Sequence, residues 1–181
     1  MNEHPVAVEL DGTHSFKTLV LDTNAWLDWL VFADPQTALL GQQFDEGRLT
    51  LPASPSGRAE FVDVISRDKF RLDHGQQSDC IDRYDHCCQM LPNGREAGRH
   101  TKLRCSDPDD QQFLELAVGA KAGWLLTRDR ALLKLARRAW RDHQFRILSL
   151  AEWSAQGANA SNQFGSDKSS NHLNHSASPR A

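Results

Sequence analysis

The sequence predicts an α/β fold built on a parallel sheet flanked by helices, and two observations carry that prediction. Apolar runs that end on a carboxylate occur twice: Leu19-Val20-Leu21 stops on Asp22, and Trp124-Leu125-Leu126 passes through Thr127 and Arg128 to Asp129. Between and after them, strand-like and helix-like stretches alternate, which is the pattern of βα units. In open α/β sheets ligands sit outside the carboxyl ends of the strands, so two strands that both end in acid predict one shared site.

Taken in order, the apolar stretch Thr18 to Leu21 predicts a strand and Ala25 to Phe32 a helix that Asp34-Pro35 ends. Gln36 to Glu46 reads as a second helix stopped by Gly47, and Arg48 to Ala53 as a short strand. Pro55-Ser56 opens a helix running to Arg67, and Gln76 to Leu91 reads as another, closed by Pro92-Asn93-Gly94. The segment Asn93 to Arg104 holds Arg95, Arg99, His100, Lys102 and Arg104 without periodicity and reads as a mobile basic loop. Asp109 to Ala120 is expected to be helical, Trp124 to Thr127 a strand, Arg130 to Asp142 a helix, and Phe145 to Leu148 the closing strand.

The length of 181 residues suits one buried core. Residues 1–15 read as a flexible leader, 16–153 as the folded domain, and 154–181, rich in Ser, Asn, Ala and His, as a disordered tail. The start Met1-Asn2-Glu3-His4-Pro5 lacks the basic and apolar regions of a signal peptide, and Asp28 breaks the apolar stretch from Ala25 to Ala33. A cytoplasmic protein with no membrane partner is expected. Cys80, Cys87, Cys88 and Cys105 form no Cys-x-x-Cys pair and read as reduced bystander thiols. A formal net charge of -3 excludes a globally basic nucleic-acid binder, so any contact with nucleic acid must come from a local patch.

Between the two acid-ended strands lie Glu60 and the acidic knot Asp107-Pro108-Asp109-Asp110. These widely separated carboxylates are the oxygen ligands that a hard cation such as Mg²⁺ or Mn²⁺ takes, usually a few of them together with waters and substrate phosphates. Such a cation lowers the pKa of bound water and neutralises charge on a phosphoryl oxygen, which suits phosphodiester hydrolysis. Each acid has a structural alternative. Asp22 and Asp129 could cap the helices that follow them, Glu60 could complement a helix dipole, and Asp107 and Asp109 read as capping residues of the next helix. Asp110 should project from that helix's first turn towards the other carboxylates, whereas Asp28 and Asp63 read as solvated. Asn24 either orients the site or merely begins a helix, and Thr23 and Thr127 are candidate hydroxyls supporting the acids.

With these residues in place, the chain resembles the PIN domain, the nuclease fold of the toxins of many bacterial toxin-antitoxin pairs. The resemblance runs from about Phe16 to Trp153. It rests on Val20-Leu21-Asp22-Thr23-Asn24, the helical Glu60, the run Asp107-Pro108-Asp109-Asp110-Gln111-Gln112-Phe113-Leu114-Glu115-Leu116-Ala117, and Leu125-Leu126-Thr127-Arg128-Asp129. The Asp-Pro-Asp-Asp form is similar to the branch associated with toxin components. The resemblance implies a three-layer α/β/α sandwich with a central, mostly parallel sheet. It also implies a catalytic, metal-binding quartet of Asp22, Glu60, Asp110 and Asp129, supported by Asn24 and Thr127, with Asp107 and Asp109 beside the third acid. The activity implied is that of a Mg²⁺- or Mn²⁺-dependent endoribonuclease on single-stranded RNA, often a homodimer and often neutralised by a small antitoxin. The long basic loop and the tail depart from the small toxins.

On a helical wheel, Arg130, Lys134, Arg137, Arg138 and Arg141 fall within one arc with no intervening acid. Like charges in such a row repel, so the stripe is read either as a solvated face or as an RNA-binding edge that tracks phosphates. Other functions fit less well. A haloacid-dehalogenase-like phosphatase needs a second aspartate where Asn24 stands, and a phosphoacceptor receiver needs a lysine that Leu126-Thr127-Arg128-Asp129 does not offer. A non-catalytic PIN-like module binding RNA or a partner, and an RNA-processing nuclease outside toxin-antitoxin biology, remain the alternatives.

Overall fold

A computed structural model of the chain describes residues 15–156. Its centre is β1 (Ser15–Leu21), whose apolar residues alternate between two cores. Along one edge runs β4 (Ala122–Leu126), in parallel register with Leu19 opposite Trp124, Val20 opposite Leu125 and Leu21 opposite Leu126. Beyond it lies β5 (Arg146–Leu148), again parallel. Along the other edge Thr18 and Thr50 form a parallel bridge, with Leu19 N–H donating to Thr50 O at 2.9 Å and Thr50 N–H to Lys17 O at 2.7 Å. That bridge connects β1 to the short parallel pair β2 (Pro52–Ala53) and β3 (Gln89–Met90).

Helices cover both faces. On one side α1 (Thr23–Leu30), α2 (Ala38–Asp45), α3 (Pro55–Ile65) and α4 (His74–Cys87) bury Leu27, Leu40, Phe61, Ile65 and Tyr84 against Leu19, Leu21 and Leu126. On the other, α6 (Gln111–Gly119), α7 (Arg130–Leu133) and α8 (Ala136–His143) bury Phe113, Leu114, Leu132 and Ala139 against Val20, Leu125 and Ile147. The expected three-layer sandwich with a parallel sheet is what the chain adopts. Local chemistry sets the helix starts. Ser54 caps α3 ahead of Pro55, and Asp73 and Gln76 form a reciprocal capping box on α4. Gly47, at φ +67, ends α2 in a conformation that side chains disfavour.

Four expectations need correction. The helix read as Gln76 to Leu91 stops at Cys87, and beyond it lies β3, where Gln89 and the following Leu91 donate N–H groups to Leu51 O and Ala53 O. The basic loop from Asn93 to Arg104 contains a helix, α5 (Gly94–Gly98), packed against α6. The two backbones nearly touch: a Cβ on Gly98 would lie 1.8 Å from Glu115 O, and one on Gly119 would lie 1.8 Å from Gly94 O. Arg95 fastens the same seam, pairing with Glu115 at 3.0 Å and donating to Ser56 Oγ at 2.9 Å. The helix read as Arg130 to Asp142 is two helices, because Leu135 N–H bonds to Leu132 O three residues back and interrupts the ladder. Finally, residues 150–156 are helical with Trp153 buried, and Ser154 donates to Gln36 O at 3.1 Å, so the packed structure continues past 153. The leader up to residue 14 and the tail from 157 lie outside the described residues.

The order β3-β2-β1-β4-β5 means that the chain first winds outward from β1 on one side and later on the other. The reversal falls between β1 and β4, where the connections leave in opposite directions and open a crevice at the carboxyl ends. Asp22 and Asp129 lie at that crevice.

Candidate acidic active site

Asp22 continues the ladder of β1, its N–H donating to Leu126 O at 3.1 Å, and the residue is 1% exposed. Oδ1 accepts the N–H of Ala25 at 2.6 Å and so caps α1; Oδ2 accepts the hydroxyl of Thr127 at 2.5 Å. The capping alternative is thus what the structure shows for Asp22, and a cap does not use up both of its oxygens. Thr127 also accepts the N–H of Asp129 at 2.9 Å, which ties the acids of the two strand ends through one hydroxyl. Asp129 Oδ1 accepts from Ala131 N–H at 2.5 Å and starts α7.

Glu60, on α3, reaches the crevice from the side. Thr23 donates to its Oε1 at 2.7 Å, and Gln112 Nε2 donates to its Oε2. Asp110 stands at the N-cap position of α6, but its side chain makes no capping bond, leaving the carboxylate to the crevice. Asp107 and Asp109 do not cap that helix as expected. Asp107 instead closes a turn by accepting Asp109 N–H at 3.0 Å, and Asp109 contributes its carbonyl to Gln112. Asn24 borders the cleft next to Glu60.

The acids act on one another. Burial, then the charges of Asp129, Asp107, Asp22 and Glu60, push the Asp110 carboxyl up to about 7. Burial pushes Asp22 up to about 6 despite the bonds from Thr127 and Ala25. Among the described residues no three acids, imidazoles or thiols already form a ligand cage. The donor set nevertheless fits a hard, hydrated cation. It consists of oxygens, it repels itself in a way that a cation relieves, and a Mg²⁺-type ion keeps several waters rather than filling its shell with protein. Gln112 Oε1 is buried without a partner, one more oxygen on the residue that holds Glu60. Cys105 lies near these acids, but burial raises its thiol pKa and keeps it protonated.

Sequence reasoning missed three residues. Gln112 braces Glu60; its signal was an amide beside the apolar Phe113-Leu114 on the inner side of a helix. Asp28 is not solvated but buried, and it pairs with Arg128 at 3.0 Å. The signal for Asp28 was an acid interrupting an apolar run, and Arg128 lies between the two site residues Thr127 and Asp129. Asp63 is exposed and pairs with Arg67, as a solvated acid would. Of the basic stripe, Arg130 and Lys134 belong to the α7 end and Arg137, Arg138 and Arg141 to α8, so the row is not one helix face. All five are exposed, but Arg141 pairs with Asp142 at 2.6 Å and Arg138 donates to Lys102 O at 3.3 Å. Among the described residues no helix is long and apolar enough to cross a membrane.

Comparison with known proteins bears on the family. No curated protein matches the sequence. Among solved structures, the crystal structure of VapBC2 from Rickettsia felis bound to a DNA fragment from their promoter is similar with a TM-score of 0.48 at 14% identity, covering 72% of this chain and 96% of that one. Residues 18–131 match the family model for the PIN domain. That match spans well over half of the chain and contains Asp22, Glu60, Asp110 and Asp129; the chain belongs to the PIN domain family.

Proposed function

We propose that the protein is a Mg²⁺- or Mn²⁺-dependent endoribonuclease that hydrolyses phosphodiester bonds in single-stranded RNA, and that it is the toxin of a toxin-antitoxin pair held in check by a small antitoxin. What supports the nuclease reading is electrostatic: Asp129, Asp22 and Glu60, from separate elements, each help to raise the carboxyl of Asp110. PIN domains are generally nucleases, and the Asp-Pro-Asp-Asp form before α6 supports the toxin branch.

Asp22, Glu60, Asp110 and Asp129 would hold the cation. When bound, it makes water a better nucleophile and offsets charge growing on the phosphoryl oxygens. Thr127 fixes the carboxylate of Asp22 and the backbone at Asp129 together, so the acids of both strand ends keep one geometry. Thr23 and Gln112 hold Glu60 by one oxygen each, so its carboxylate is fixed in orientation. Asp110, whose carboxyl is pushed up to about 7 by burial and by the neighbouring acids, would be among the carboxylates holding the cation, whose charge would offset that repulsion.

The test uses the purified full chain, a labelled single-stranded RNA, and Mn²⁺ against EDTA. Cleavage should require the metal and vanish in Asp22→Asn, and Mn²⁺ binding measured by electron paramagnetic resonance should weaken in parallel. Undiminished Mn²⁺-dependent cleavage by Asp22→Asn would remove the proposed site. The toxin assignment is tested by expression in a bacterial host: growth arrest that the neighbouring reading frame relieves supports it, and normal growth with an active enzyme favours RNA processing.

A further inference from the structure

We propose that the cleft beside the acids is a nucleotide subsite, in which Phe32 stacks on a base flanking the scissile phosphate and Arg128 contacts the adjoining backbone phosphate. The proposal rests on the single-stranded RNA reading above and extends it to a place and a mode of contact.

The cleft encloses about 450 Å³ and shares Thr23, Asn24 and Glu60 with the acidic site, so a strand lying across the carboxylates continues into it. The volume is within the roughly 300–1,000 Å³ of clefts that hold small ligands. Its far wall is aromatic. Phe32 is 52% exposed, the one large apolar side chain so exposed among the described residues. One face of the ring packs on Phe70, and the rest of it stays open to solvent just beyond the end of α1.

Phe70 lies behind Phe32 with ring centroids 5.9 Å apart and planes inclined by 31°, too close for a base to enter between them. The free surface is therefore the outer face of Phe32, with Phe70 as its support. Lys69 Nζ stands 4.9 Å from the centre of the Phe70 ring, and Arg67 lines the same wall.

Arg128, one residue before Asp129, also lines the cleft. Its side chain is 57% exposed, while that of its ion-pair partner Asp28 is 10% exposed. A buried carboxylate thus aims an exposed cation, leaving most of its N–H donors to the cleft. Aromatic rings next to cations are the combination by which single-stranded nucleic acids are bound without sequence readout, and base stacking on one ring is worth a roughly 5- to 150-fold change in affinity. Arg67 and Arg128 are each paired with a carboxylate, Asp63 and Asp28, and Lys69 stands over the Phe70 ring, so the cations of the wall sit beside aromatic surface, the arrangement a stacked nucleotide uses.

The experiment measures binding of a single-stranded RNA by the full chain in an Asp22→Asn background, with 2-aminopurine placed in turn at each position around the cut. Phe32→Ala, a surface change with little effect on folding, should weaken binding roughly 5- to 150-fold and abolish the stacking quench at one position. Phe32→Tyr should retain both. Replacing that one nucleotide by an abasic one should weaken the parent protein to the same degree and leave Phe32→Ala unaffected. Native-like affinity and quenching in Phe32→Ala overturn the subsite while leaving the nuclease reading intact. Failure of the parent protein to bind any RNA overturns that reading and the subsite with it. Normal RNA binding by Phe32→Ala together with lost co-elution of a co-expressed neighbouring gene product assigns the surface to a protein partner and also overturns the subsite.

Discussion

Replacing Asp22 by asparagine should stabilise the metal-free protein near neutral pH while removing hydrolysis. Asp22 is 1% exposed, and burial raises its carboxyl from 3.8 to about 6. At about 1.4 kcal/mol per pKa unit, keeping it ionised costs the folded state about 3 kcal/mol. Because the folded value lies above the unfolded one, the folded protein holds the proton more tightly. The penalty is absent below pH 3.8, grows through the window up to about 6, and is complete above it. Asparagine carries no charge and still caps α1 through Oδ1, as well as aspartate does. Its amide N–H, however, replaces the oxygen that accepts from Thr127, at a cost of about 1 kcal/mol. The net gain is about 2 kcal/mol above pH 7 and about zero near pH 4.5, or some 4–8 °C in Tm at the higher pH for a domain of this size. Circular-dichroism melts in EDTA at the two pH values measure it. A mutant less stable than the parent at pH 7.5, or one whose gain is the same at both, would show that Asp22 is not an uncompensated buried charge.

Gly98→Ala should destabilise the fold by roughly 1–3 kcal/mol in urea titrations, because the new methyl meets Glu115 O at 1.8 Å; it should also weaken Mn²⁺ binding, since α6 carries Asp110. Changing Arg137, Arg138 and Arg141 together to Gln in the Asp22→Asn background should weaken RNA binding and make the slope of log affinity against log salt shallower by about 2, with Mn²⁺ affinity unmoved. An unchanged slope would leave these arginines as a solvated surface.

The parts legible in the sequence are those with strong local signals. β1 ends in the apolar run Leu19-Val20-Leu21, buried on both faces, and β4 in Trp124-Leu125-Leu126, so the strand ends and the acids after them were marked by position and chemistry together. What escaped was fixed by tertiary contact. β3 is two residues, Gln89 and Met90, with no apolar run of its own; it exists because Leu51 and Ala53 present carbonyls to it. α5 contains two glycines in five residues and has poor intrinsic propensity, so only its seat on α6 makes it helical. The break at Leu135 lacks any proline or glycine to announce it. At the site, the acids could be named from their order along the chain, but the pairing of Asp28 with Arg128 spans 100 residues and the bond from Gln112 to Glu60 spans 52. Neither separation leaves a trace in spacing.

The glycine seam between α5 and α6 gives the third acid an unusual support. Where two helices meet through side chains, a substitution is absorbed by repacking, and its effect fades with distance. Here the closest points are Gly98 against the carbonyl of Glu115 and Gly119 against that of Gly94, so there are no side chains to give way. Any bulk added at the seam must move a whole backbone, and the backbone it moves begins with Asp110. The segment that looks like a spacer between two halves of the fold thus acts as a splint. Variation in it should act on the position of Asp110 in steps: silent while the crossing is kept, and abrupt once it opens.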